Sequence, residues 1–270
     1  MAVVPYFFGN FCINDGQSYL LQSKQLDPPA LQYQVEVVGR TPGVKYSGAR
    51  INERPITVVI RVVGTSRIDL ENKVDALMQA MQYQAQRLQL HANDSRYFLA
   101  SCVTPTYTLD AHAVIWVDIT LVFVAFLPYA YAANTSTFTM ASQALTSQGG
   151  GLYASTQQSI TGGGNVFSYP TIVLTNTGSP NITAVTLNQQ TDALQITVTQ
   201  TLHTNDYLTI TNDPFLANGL TVTYNGGNPL DFSGGFNVME PGPTLWQIVA
   251  TAGSQPSMSA SWVWQSRWAS

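Results

Sequence analysis

The sequence predicts a mainly β protein with one helix, in which an α+β domain comes first and a β-sandwich follows. Three features of the pattern support this prediction. A long stretch around residue 120 alternates apolar and mixed positions, one segment after residue 65 has helical periodicity, and short alternating runs separated by turn residues fill the chain beyond residue 165. We assign residues 1–132 to the first domain, 133–164 to a connector and 165–270 to the sandwich.

The most apolar segment, Ile119–Ala132, raises the question of whether it crosses a membrane. A spanning helix needs about 20 apolar residues in a row, and the run reaches that length only when extended upstream, where it includes Asp118 and Thr120 before ending near Pro128. From 113 to 125 the odd positions are all apolar and the even positions are mixed, which is the period of a β-strand. We therefore expect a long strand and no membrane insertion.

Helical periodicity predicts one helix over Asp69–Leu90, because apolar residues recur there at spacings of three and four. These positions are Leu70, Val74, Leu77, Met78, Met81, Ala85 and Leu88. Ser66 or Asp69 is placed to cap the first turn, and Arg87 near the end suits the helix dipole. The first domain is therefore expected to combine this helix with several strands.

Two strands are predicted before the helix, over Leu31–Arg40 and Ile56–Gly64. The connection between them, Thr41–Pro55, is too long for a tight hairpin turn and carries the basic residues Lys45, Arg50 and Arg54. The residues alone leave two interpretations open, an extended arm or a solvated surface loop.

Beyond residue 133 the composition shifts to Ser, Thr, Asn, Gln and Gly, and two glycine triplets lie in Ser147–Gly164. This composition is typical of a flexible connector, with room for one strand. Short alternating runs then predict the strands of a sandwich. They are Pro170–Asn176, Ile182–Asn188, Ala193–Gln200, Asp206–Thr211, Leu220–Asn225, Leu245–Ala252 and Ser259–Ser266.

Charge and cysteine content narrow the function classes. The formal net charge of -4 gives no support for nucleic-acid binding, and only Arg267 among the basic residues follows Arg96, so the two halves differ in composition. Cys12 and Cys102 both lie in apolar stretches and are expected to be buried free thiols. The N-terminus lacks the basic and uninterrupted apolar regions of a signal peptide, so synthesis without secretion is expected.

No pattern for catalysis or for metal binding is present. The histidines, His91, His112 and His203, are scattered without the spacing of zinc motifs, and no nucleophile elbow, phosphate loop or C-x-x-C occurs. We therefore expect no cofactor, no metal and no enzymatic activity. A spatial pair of carboxylates, as in a cell-wall hydrolase, stays open as an alternative because such pairing cannot be read from sequence.

Tryptophans are concentrated near the C-terminus, at Trp246, Trp262, Trp264 and Trp268. Sugar-binding modules stack rings on tryptophan faces, and Trp262 and Trp264 share one face of a predicted strand. These two are the candidates for a glycan or partner surface. A buried core face is the competing interpretation, and it is the commoner use of such a pair.

The order of these elements resembles the distal tail proteins of long-tailed bacteriophages with non-contractile tails. The N-terminal match consists of a Gly-Arg region, a strand, the helix, an aromatic strand and a long strand that ends in a Pro-Tyr pair. The matching positions are Gly39, Arg40, Arg61, Arg96, Tyr97, Phe98, Pro128 and Tyr129. In the second half the likeness rests on the runs that begin at Pro170 and Asp206, and on Phe236, Pro241 and Gly242. The long glycine-rich segment and the tryptophan-rich end depart from the family pattern.

The resemblance implies a structural virion protein, a hub that forms a ring, hexameric in the family, at the tail end. Its partners would be the tail tube protein and the tail-tip, fibre or receptor-binding proteins, and host glycans would be an alternative partner. The resemblance makes Thr41–Pro55 an arm that grips the neighbouring subunit, with Arg40, Lys45, Arg50 and Arg54 as interface residues. It also implies that the sandwich is galectin-like, and that the protein is made in the host cytoplasm and located in the virion.

Overall fold

The computed structural model describes residues 4–29, 31–37, 44–91, 96–108, 115–191, 193–212, 219–235 and 238–268. The chain divides into two compact units, the first within Met1–Ala133 and the second Asn134–Trp268. The described residues are mainly β with a single helix, as predicted.

The first unit combines one helix with ten strands in its described part. They are β1 (Phe7–Phe8), β2 (Phe11–Cys12), β3 (Tyr19–Leu26), β4 (Leu31–Val37), β5 (Val44–Ile51), β6 (Arg54–Val63), α1 (Arg67–Met81), β7 (Gln86–Gln89), β8 (Arg96–Tyr107), β9 (Trp116–Ala125) and β10 (Ala130–Ala132). Seven strands form an antiparallel sheet in the order β2-β1-β7-β8-β9-β6-β3, and β10 pairs with β8. Strands β4 and β5 form a separate pair.

The long apolar segment forms the central strand β9, which confirms the predicted alternation over its described part. The inward positions of β9 and β6 are buried together with one stripe of α1, which packs against β6 and β8. These core residues include Val117, Ile119, Leu121, Phe123, Ile56, Val58, Ile60, Leu70 and Leu77. Within the described residues, no helix is long and apolar enough to cross a membrane.

Helix α1 begins where the sequence predicts and ends earlier. Ser66 is the N-cap, and its hydroxyl accepts a hydrogen bond from the Asp69 backbone N–H at 3.2 Å. The prediction that the helix continues to Leu90 is wrong, because Ala85 adopts a positive φ of 51° and the chain then enters β7. Leu88 is buried as a strand residue there. Its spacing from Met81 fits a helix, while its spacing from Leu90, also buried, fits a strand.

Tyr19 on β3 makes the first unit sensitive to alkaline pH. Its hydroxyl donates to the Lys73 carbonyl of α1 at 3.0 Å, and burial together with the charges of Asp15 and Asp69 raises the pKa of Tyr19 to about 12. An unfolded tyrosine ionises near pH ~10, so the folded state holds this proton more tightly. The stabilisation is therefore complete below about pH 10 and is lost as the pH rises toward 12.

We expect Tyr19→Phe to flatten the fall in unfolding free energy above pH ~10, measured by denaturant titrations at several alkaline pH values. Equal slopes for the variant and the unmodified protein would contradict this assignment.

The second unit consists of two facing sheets. Its strands are β11 (Ser136–Ala144), β12 (Thr146–Gly149), β13 (Leu152–Ala154), β14 (Gln158–Gly162), β15 (Thr171–Asn176), β16 (Ile182–Gln189), β17 (Leu194–Val198), β18 (Tyr207–Asn212), β19 (Leu220–Tyr224), β20 (Ser233–Gly234), β21 (Gly242–Ala252), β22 (Ser257–Trp264) and β23 (Arg267–Trp268). One sheet has the order β11-β22-β15-β18-β19, and the other has β12-β13-β21-β16-β17-β20 with β14 also on β21. Buried residues of both sheets form one core, so the unit is a β-sandwich.

The segment 133–164, predicted as a connector, is not a connector in the structure. It forms four strands, β11 to β14, that belong to the two sheets of the sandwich. Its glycines allow close backbone packing and tight turns. A flexible linker has the same glycine-rich composition, so composition alone does not separate the two. A Cβ on Gly162 would lie 2.1 Å from the Glu240 carbonyl oxygen, and Gly150 occupies a turn with φ of 63°.

The two cysteines, Cys12 and Cys102, form no disulfide, as predicted. Both are half-buried, so the prediction that they are fully buried is wrong.

Candidate assembly surfaces

A two-stranded ribbon, β4 with β5, stands apart from the main sheet of the first unit. Within the described residues these strands pair only with each other, and neither has extended contact with another strand or helix. An isolated two-stranded hairpin is at best marginally stable in water. The ribbon is therefore expected to need a partner surface.

The register of the ribbon pairs positions of like polarity. Its alternate cross-strand pairs are Leu31–Ile51, Tyr33–Ala49, Val35–Tyr46 and Val37–Val44, and between them lie Gln32–Arg50, Gln34–Gly48 and Glu36–Lys45. The register shifts between Gln34 and Val35. From the alternation of paired strands, the sequence predicts apolar positions on one side of the ribbon and polar positions on the other.

The ribbon is an insertion between two strands that are themselves paired. Strands β3 and β6 remain in register up to Leu26 opposite Ile56, and the ribbon leaves and re-enters the sheet there through short connections. Arg54, the first residue of β6, closes this base. Its Nε donates to the Asp27 carbonyl at 2.7 Å, its Nη2 donates to the Leu26 carbonyl at 3.3 Å, and its guanidinium lies 5.2 Å from the Phe98 ring centre.

The predicted interface residues thus have different positions. Arg40 lies outside the described residues, whereas Lys45 and Arg50 are on β5 of the ribbon. Arg54 is only 2% exposed, so the prediction that it is a surface residue of the arm is wrong. Its guanidinium is directed at the Asp27 and Leu26 carbonyls, where the ribbon branches off. Sequence reasoning also missed that β4 pairs with β5 and, among the described residues, with no strand of the main sheet.

Removing the Arg54 side chain should destabilise the first unit far more than removing an exposed arginine. We expect Arg54→Ala to lower the unfolding free energy by about 2–4 kcal/mol, because it removes a buried side chain that donates to the part-buried carbonyls of Leu26 and Asp27. Arg61→Ala is the matched control, since Arg61 forms a partly exposed ion pair with Asp118 at 2.8 Å and should contribute less than about 1 kcal/mol. Equal losses in denaturant titrations would contradict the role of Arg54 at the base.

The face of the sheet opposite to its buried face is partly exposed, and we call it the outer sheet face. It is formed by Thr57, Val59, Val63, Thr120, Val122 and Val124, all half-buried. The Arg61–Asp118 ion pair crosses it, and the Arg61 guanidinium stacks 4.1 Å from the Trp116 ring centre. Hydrogen bonding from Arg61 lowers the pKa of Asp118, which keeps this carboxylate charged.

An open groove of about 650 Å³ lies between α1 and the β1–β2 hairpin, and we call it the helix groove. Ala76 and Ala80 lie on its helix side, Phe8 and Phe11 on its strand side, and Tyr83, 62% exposed, at the end of the helix. Among the described residues that line it, none is charged. Sequence reasoning missed this groove, because its walls come from segments about seventy positions apart in the chain.

The tryptophans predicted as a glycan or partner surface are buried in the sandwich core. Trp262 is 0% and Trp264 is 6% exposed, so the prediction of a surface on these side chains is wrong. Trp262 packs edge-on against Phe138, with ring centres 5.5 Å apart, and lies 6.2 Å from Trp246. The shared face that Trp262 and Trp264 occupy on β22 is the face that covers the opposite sheet.

Asp206 is held in a hydrogen-bonded turn of the second unit. Within the described part no group of three His, Cys, Asp or Glu side chains is placed to hold a metal. Asp206 accepts hydrogen bonds from the Tyr224 hydroxyl at 2.6 Å, the Asn225 amide at 2.8 Å and the His203 backbone N–H at 2.8 Å. These bonds lower the pKa of Asp206 and link the segment around His203 to the segment around Asn225, as expected for an aspartate in a turn.

A solved phage structure shares the fold of this chain. The solved structure that shows this is that of Dit (gp 19.1) of phage SPP1, described as a paradigm of the hub adsorption apparatus in phages that infect Gram-positive bacteria. The likeness covers 97% of this chain and 98% of that one, with a TM-score of 0.65 and 13% identity. The predicted resemblance to distal tail proteins is thereby confirmed as a shared fold.

Two structures of the phage P2 baseplate in its activated conformation, with Ca and with Sr, are more distant. Each has a TM-score of 0.42, at 12% and 10% identity, over 98% and 96% of this chain. These scores are too low to support an inference. No protein-family model and no curated protein sequence matches the chain.

Proposed function

We propose that this protein is a distal tail hub that assembles into a ring joining the tail tube to the host-recognition apparatus of a phage. The observation that carries the proposal is the two-stranded ribbon of β4 and β5, which pairs with no other strand among the described residues. A chain that shares the fold of a tail hub and carries such a ribbon is suited to self-assembly. In this proposal the ribbon is the arm that grips a neighbouring copy.

Ring closure follows from the kind of interface that an arm creates. An arm on one side of a subunit and its receptor on another side form a heterologous contact, which closes into a ring when the rotation between copies allows it. The hexameric copy number is proposed from the family resemblance. The sandwich, taken as galectin-like, would be the docking surface for receptor-binding proteins, and the protein would act in the virion without catalysis.

The test is the mass and shape of the purified protein. We expect light scattering after size-exclusion chromatography to give a mass near six times 29.4 kDa, and negative-stain images to show rings. A protein that stays monomeric across a wide concentration range, alone and with its tail tube protein, would overturn the proposal. No observation on the described residues favours the glycan-binding alternative, since its two candidate tryptophans are buried.

A further inference from the structure

We propose that Asn225 is a site of spontaneous deamidation, and that the folded second unit slows this reaction by binding the side-chain amide of Asn225. The sequence contains two Asn-Gly pairs, at 218–219 and 225–226, and the second is the one in which both residues are described. A glycine after asparagine favours deamidation, because no side chain shields the backbone nitrogen that attacks the amide. This chemistry is independent of the proposed hub role.

The reaction needs only the chain and water. The Gly226 backbone nitrogen loses its proton and attacks the side-chain carbonyl carbon of Asn225, so that a carbon–nitrogen bond forms and closes a succinimide ring. The side-chain nitrogen of Asn225 leaves as ammonia. Water then opens the ring at either carbonyl, which leaves aspartate or isoaspartate at position 225.

Asn225 and Gly226 are the central residues of a tight turn that follows β19. Both have a positive φ, 48° and 68°, and the Gly227 backbone N–H donates to the Tyr224 carbonyl at 2.8 Å across the turn. Asparagine and glycine adopt positive φ at little cost, so the turn itself favours this reactive pair. Asn225 is exposed, and water and base can therefore reach it.

Hydrogen bonds hold Asn225 against the start of β18. Its Oδ1 accepts from the Tyr207 backbone N–H at 2.8 Å, and its Nδ2 donates to Asp206 Oδ1 at 2.8 Å. Its backbone N–H donates to the Tyr207 carbonyl at 2.9 Å. Both ends of the side-chain amide are thus bound across the strand pair. Ring closure requires this amide to turn toward the Gly226 nitrogen, which breaks both of its bonds.

The charge of Asp206 opposes the reaction as well. Hydrogen bonds from Tyr224 and Asn225 lower the pKa of this carboxyl group, which keeps it ionised. Attack on the Asn225 amide passes through a negatively charged intermediate, and a carboxylate oxygen 2.8 Å from the amide nitrogen disfavours that charge. In the product a second carboxylate lies beside Asp206, so a hydrogen bond between the two strands is replaced by repulsion.

Peptide mass spectrometry measures the reaction. The protein is digested by a protease that cleaves before aspartate, since no Lys or Arg lies between Arg96 and Arg267, and fragmentation separates Asn225 from Asn218. We expect Asn225 to deamidate at least about a hundredfold faster in guanidinium than in the folded chain, because its hydrogen bonds must open first. Equal rates in the two states, or no reaction at Asn225 in guanidinium, would overturn the proposal.

Asp206→Ala tests the bond to the carboxylate. In the folded state this variant should deamidate at Asn225 at least about tenfold faster than the unmodified protein, because a hydrogen bond to a charged group is lost. Tyr224→Phe is the matched control, since it removes another hydrogen bond to Asp206 and leaves those of Asn225 in place. Its rate should stay within about twofold of the unmodified protein.

Circular dichroism shows whether both variants are folded. Equal rates for the two folded variants would overturn the role of Asp206. The comparison between guanidinium and the folded state uses the unmodified protein, so it decides the proposal even where a variant fails to fold.

Discussion

Excising the ribbon should leave the subunit folded and abolish its self-association. Joining Ala30 directly to Asn52 removes β4 and β5 and leaves a short loop between Leu26 and Arg54, which are already held together at the base of the ribbon. We expect association to weaken by roughly a thousandfold or more, equivalent to about 4 kcal/mol, because the proposed arm is lost. Light scattering over a concentration series measures this shift.

Gln32→Ala is the matched control for the excision. Gln32 is exposed and lies in register with the polar positions of the ribbon, so its loss should leave assembly unchanged. Circular dichroism and a thermal melt show whether the excised chain keeps its fold. If the excised protein assembles as strongly as the intact one, the ribbon is not the arm, and the interface lies elsewhere on the first unit.

Truncating Trp262 should produce the largest loss of stability in the second unit. The side chain is fully buried and contacts rings from both sheets, Phe138 on one side and Trp246 on the other. We expect Trp262→Ala to lower the unfolding free energy by about 3–5 kcal/mol, since it removes a large apolar group and leaves a cavity. Guanidinium titrations followed by circular dichroism measure the shift of the transition that belongs to the sandwich.

The neighbouring residue supplies the control for this experiment. Val263 is next in the chain, points to the opposite face of β22 and is 38% exposed, so Val263→Ala should change stability by less than about 1 kcal/mol. Similar losses at both positions would mean that Trp262 is not part of a packed core, and its use as a binding surface would then be open again.

The fold was readable from the sequence wherever one face of an element is buried. Strand β9 and the sandwich strands alternate with a period of two because alternate side chains enter a core, and burial follows that alternation. The end of α1 was misjudged because Leu88 satisfies the spacing of a helix and that of a strand. The segment 133–164 was misjudged because glycines required by close backbone contacts have the same composition as a flexible linker.

The candidate surfaces could be predicted from the sequence only in part. The ribbon overlaps the segment that the sequence marks by its length and basic residues, but the burial of Arg54 depends on where β3 and β6 separate. Trp262 was ambiguous because a strand face has the same pattern whether it meets a second sheet or solvent. The helix groove left no sequence signal, because it arises from the tertiary contact of two distant segments.

The insertion of the ribbon at the end of a complete strand pair has a consequence for how such an arm changes over evolution or by design. Since β3 and β6 stay in register up to the branch point, the sheet does not depend on how many residues lie beyond it. Adding one residue to each ribbon strand lengthens the arm by about 3.4 Å and leaves the subunit core untouched. The length of the ribbon can therefore change in small steps while the sheet stays the same. A ribbon of another length would suit subunits of a different width.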